Sequence, residues 1–207
     1  MGDYFDLGSY RRDITSDSQD AVTWFNRGLV WCYGFNQEEG VRCFRKAIEI
    51  DPECAMAYWG VAYASGPFYN KPWAWYGEIE RVETIALCHE HAHYARQLMT
   101  RASPVEQALI EALCSKHPAT RALDDIELEH WMQNYADAMR SVYARFSEDP
   151  DVACLTAEAV INLQRFLLGS RVVGAAGRCV RGGDRLGLLR LRVLNHDRAG
   201  HDLRHGR

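Results

Sequence analysis

Apolar residues recur along most of the chain at spacings of three and four, the period of an amphipathic helix, and rarely alternate as a half-buried strand would. Residues 23–33 place Trp24, Gly28 and Trp31 on one face, and residues 39–50 place Val41, Phe44, Ala47 and Ile48 the same way. Asn36 with Glu38 and Glu39 supplies a start for the second segment. Asp51-Pro52 supplies its stop, because the residue before a proline is pushed out of the α region. A helical pattern resumes at 55–64. Beyond Gly66-Pro67 and the aromatic stretch FYNKPWAWY, further helices are predicted over 77–100, 104–116, 126–146 and 153–163. Ser103-Pro104 followed by Glu106 predicts a capped start for the second of these. His117-Pro118 ends it, and Asp149-Pro150 is the corner before the last. The expected product is an all-α chain of seven or eight helices joined by short connections.

Two helices approach closely only where one offers a small residue beside the other's ring. Gly28 and Gly40 are such positions in the first predicted pair, with Trp24, Trp31, Phe44 and Ala47 around them and Pro52 closing the unit. Tyr58 falls 34 residues after Trp24. This run of positions resembles the tetratricopeptide-repeat (TPR) superfamily, closely over 21–65 and loosely to 163. AMAYWGVAYASGPFYNKPW at 55–73 is similar to a signature of a largely uncharacterised fungal and bacterial group of TPR-like proteins. The resemblance implies a right-handed superhelical stack of antiparallel helix pairs, an α-solenoid whose concave groove is lined by the first helix of each pair. Family members usually bind peptides there, so the expected function is a non-catalytic protein-interaction or scaffold role with a protein or peptide partner. Asn26, Arg27 and Val30, with Tyr63 from the next pair, are the predicted groove residues. The amide and guanidinium suit a peptide backbone or an acidic side chain.

Charge divides the chain further. Residues 1–164 carry 14 Lys+Arg against 25 Asp+Glu, a balance of −11, whereas 165–207 carry 10 Arg against 3 Asp, a balance of +7. The expected organisation is an N-terminal extension at 1–20, a TPR-like domain at 21–163 and an Arg/Gly-rich, poorly ordered tail at 164–207. The resembled group continues with further helix pairs where this tail stands, which points to a C-terminus altered in frame, by splicing or by truncation. The apolar surface of 153–163, with Leu155, Ala159, Val160 and Leu163, would then be only partly covered. The tail's arginines could face phosphates, but stacking aromatics are absent apart from Phe166, so nucleic acid is not an expected partner. No run approaches the roughly 18 apolar residues of a membrane span, and the first residues lack the apolar core of a signal peptide, so a cytoplasmic location away from membranes is expected. Seven cysteines without a CxxC pair read as buried, reduced thiols.

Two stretches carry chemistry of their own. HEHAH at 89–93 places His89 and His93 one helical turn apart with Glu90 beside them, the letters of a zinc-hydrolase helix. A third protein ligand is not visible, so no metal or other cofactor is expected, and a metal-dependent enzyme using His89 and His93 is the alternative reading. The loop with Tyr69, Asn70, Lys71, Trp73 and Trp75 is either a cap on a helix pair or a recognition rim, because aromatics give large contact area at low entropic cost. A truncated, inactive family member is the third reading.

Overall fold

The computed structural model describes residues 4–163, and these are helical apart from a non-helical stretch at 4–18 and the connections between helices. Helices α1 (Gln19–Tyr33), α2 (Gln37–Ile50), α3 (Ala55–Ser65), α4 (Glu78–Leu98), α5 (Pro104–Lys116) and α6 (Asp125–Arg145) are followed by α7 at 150–163. Single 3-10 turns, Trp73–Trp75 and Met99–Arg101, precede α4 and follow it. Among the described residues there is no strand, only one isolated bridge between Phe68 and Lys71. Helix α1 begins four residues before the apolar period does, because the Ser18 side chain accepts from Ala21 N and caps a polar first turn. Helix α7 begins at the Asp149-Pro150 corner, where Asp149 accepts from the backbone N–H groups of Asp151 and Val152.

Consecutive helices pack as neighbours, and α2 lies against both α1 and α3. The fully buried Phe44 ring fills that junction, 5.4 Å from the Phe25 ring. It fits because two glycines face it: a Cβ added to Gly28 would sit 2.5 Å from the ring and one added to Gly60 2.4 Å. Gly40 is closed in the same way by Cys32 Sγ, at 2.6 Å from an added Cβ, and Ala47 is buried. Pro52 is exposed in the turn after α2, and Tyr58 is half-buried.

Two features differ from the sequence expectation. Trp24 and Trp31 are half-buried instead of central; Phe25, Leu29 and Cys32 take the interior of α1, and the indoles serve as a platform for the N-terminus. The apolar face of α7 is not left open. Val152, Leu155 and Ala159 join the main core, and Leu163 is buried beside Met132 and Ala136; Val160 is half-buried. The reason is that α7 folds back on earlier helices: Tyr63 donates to Glu158 at 2.5 Å, Tyr33 to Asp151 at 2.7 Å, and Thr156 to the Met139 carbonyl at 3.2 Å. The expected tail at 164–207 lies outside the described residues.

Candidate functional site

Residues 4–17 cross the molecule as a strap tied to the helix corners. Ser16 donates to Asp51 at 2.5 Å, and Thr15 donates to the buried Glu106 through both N–H and hydroxyl at 2.7 Å. Glu106 also accepts from Ser103 N, completing the start of α5. Arg12 is buried and donates to Asp149 and Asp151, each at 2.9 Å. Burial alone would lower the Arg12 pKa, but those two carboxylates raise it above its ordinary value. Burial likewise opposes the charge of Asp149, yet the bond from Arg12 holds its carboxyl below the usual range. Tyr10 and Tyr33 both donate to the same oxygen of Asp151.

The strap also covers the predicted groove face of α1. Asn26 is buried, not open: its Oδ1 accepts from Arg12 N at 2.6 Å, and its Nδ2 donates to the carbonyls of Arg12 at 3.0 Å and Val22 at 2.9 Å. Arg27 lies 4.3 Å from the Tyr4 ring centre and 4.5 Å from that of Trp24. Tyr4 accepts from Trp31 Nε1 at 2.7 Å and donates to Glu39 at 2.9 Å, while Phe5 meets Trp31 edge-on. Gly8, with φ +77, supplies a left-handed bend between these aromatics and Tyr10. Residues 5–11 lie along α1 and form with it an open cavity of about 350 Å³ lined by Phe5, Tyr10, Arg11, Asn26, Arg27 and Val30. Tyr63 does not share it. Its ring stacks on Trp59 and its hydroxyl is held by Glu158, with burial raising its pKa well above the ordinary value.

The aromatic loop divides between interior and surface. Trp73 is buried in a small second core with Ile85, Leu128 and Trp131, against which Tyr76 packs. Tyr69, Asn70 and Trp75 are exposed. Lys71 pairs with Glu80 and lies 4.3 Å from the Tyr76 ring centre. Beside this loop a cleft of about 650 Å³ opens between the start of α2 and the end of α3, with Arg45, Phe68 and Tyr76 on its walls.

The His89 and His93 rings lie with centres 4.1 Å apart and planes tilted by 36°, and His89 Nδ1 donates to the His117 carbonyl at 2.9 Å. His117 is fully buried at the end of α5, and among the described residues neither of its ring nitrogens has a hydrogen-bond partner; His93 Nε2 is also buried without one there. Burial pushes the pKa of His117 well below the ordinary value, and burial with the neighbouring His89 lowers that of His93. The adjacent Lys116 is buried too, its ammonium donating to the Pro67 carbonyl at 3.1 Å, and burial lowers its pKa. This cluster anchors the 66–67 turn. Among the described residues no group of three or more His, Cys, Asp or Glu side chains is arranged to hold a metal ion, and no helix is long and apolar enough to cross a membrane.

The structure therefore brings Asn26, Arg27 and Val30 together and separates them from Tyr63 and from the exposed loop residues. The strap anchors Arg12, Asp149, Asp151 and Glu106 were not legible as a unit, because residues 1–20 have no apolar period. No family model, curated protein or solved structure matches the chain.

Proposed function

We propose that this chain is a non-catalytic protein-interaction domain of the TPR-like kind, a stack of helix pairs whose first helix receives an extended peptide segment. The observation that carries this reading is the bidentate hold of Asn26 on the Arg12 main chain. A side-chain amide that donates to a carbonyl and accepts from the N–H of the same residue recognises extended backbone whatever its side chain. Here the occupant is the chain's own strap. The cavity left under residues 5–11, with Arg27 and Val30 in its floor, is where a partner segment meets the same helix.

Panning a library of displayed linear peptides against the full chain tests this. Enriched peptides should lose most of their binding to Arg27→Glu and keep it on the double variant His89→Ala/His93→Ala. Peptides that bind Arg27→Glu as well as they bind the parent, or no enrichment at all, would refute the assignment.

A further inference from the structure

Tyr58 of α3 meets two residues of α4. Its ring centre lies 4.6 Å from that of Tyr94, tilted by 52°, and 6.2 Å from that of His91, tilted by 40°. His91 Nδ1 donates to the Leu87 carbonyl at 2.9 Å, which fixes the imidazole plane and leaves its Nε2 without the proton while the ring is neutral. Glu90 completes the lining, and the four residues form a shallow surface pocket of about 200 Å³, open to solvent. Tyr94 is 46% exposed, and Glu90 is exposed with its carboxylate in no ion pair among the described residues.

The Tyr58 ring tilted against both Tyr94 and His91, with an exposed carboxylate beside them, forms a chemically specific surface. Ring faces carry negative potential that attracts a cation, and a cation with weakly bound water gains most because it loses least on leaving solvent. A primary ammonium holds its water through three N–H donors, and the face of a tyrosine ring offers no acceptor in exchange. A methylated ammonium has little water to lose and presents methyl groups that fill the corner by contact. We infer that the Tyr58–His91–Tyr94 corner is a binding pocket for a methylated ammonium group, with the Glu90 carboxylate supplying the opposite charge. The site is independent of the α1 cleft and shares no residue with it.

The full chain, labelled for amide NMR, is titrated with tetramethylammonium and, separately, with tert-butanol, a neutral molecule of similar shape. Tetramethylammonium should shift the amides around Tyr58 and 90–94 saturably, and tert-butanol should not. Tyr94→Leu should weaken binding about tenfold and Glu90→Gln about threefold, in line with cation–ring energies at partly exposed sites. Both side chains are exposed, so both variants should melt with the parent. A trimethyllysine peptide and free choline, titrated in parallel, separate a protein-borne source from a small-molecule one, the tighter ligand identifying it. Equal shifts with tert-butanol, no saturable shift with tetramethylammonium, or unchanged affinity in both variants overturns the inference. None of these results depends on whether Arg27→Glu affects peptide binding.

Discussion

Gly60→Ala probes the tightest glycine approach among the described residues. An added Cβ would stand 2.4 Å from Phe44 Cδ1 and 2.6 Å from Cγ, against ordinary contact at 3.4–4 Å. The ring would have to retreat by roughly 1 Å, and it has nowhere open to go, since it is fully buried, touches Phe25 and already faces Gly28. Overpacking of this kind costs about 1–3 kcal/mol. The change from glycine returns up to about 1 kcal/mol of helix propensity. With overpacking at the middle of its range, about 2 kcal/mol, the net loss of about 1–2 kcal/mol should lower the melting temperature by about 2–8 °C in a chain of this length. Thermal unfolding followed by circular dichroism reads this directly, with Gly77→Ala as the control because nothing lies within 4 Å of its added Cβ. Phe44→Leu should relieve the clash, so the double variant should melt no lower than Phe44→Leu alone, a non-additivity expected only of residues in contact. A Gly60→Ala protein that melts with or above the parent would refute the close approach of α2 and α3.

Arg12→Met should be among the most damaging single changes at the N-terminus: it leaves Asp149 and Asp151 facing each other without their cation, a loss of about 3–5 kcal/mol out of about 5–15, and an unchanged urea midpoint would show that the strap is not structural. Stability should also fall with acid, because His93 and His117 have folded-state pKa values below their unfolded ones. The unfolded chain therefore takes up protons that the folded chain refuses, so their contribution is complete above about pH 6.5 and declines as pH drops through that value. Urea midpoints should be lower at pH 5 than at pH 7.5, a window above the titration of Asp149. His117→Phe should flatten that slope, and a parent with no slope would contradict the neutral, buried imidazole.

What the sequence determined by itself is the set of features that neighbours along the chain decide. Asn36 does cap α2, accepting from Glu39 N, and the chain leaves the helix at Asp51 before Pro52. Helical periodicity marks Phe44 and Gly28 as facing positions because each repeats the interior face of its own helix. The tertiary structure alone decided what depends on where helices cross. The second glycine against Phe44 is Gly60, two residues from the position that a 34-residue repeat selects, because the crossing of α2 over α3 sets the point of contact. The chemistry of Asn26 as a backbone ligand was readable from the amide, whereas the identity of that backbone was not, since Arg12 is placed by carboxylates at 149 and 151. Polar contacts of that reach leave no periodic trace, because only burial against a regular element imposes a period on the sequence. The same holds for Tyr58 and Tyr94, whose rings meet because α3 and α4 pack side by side.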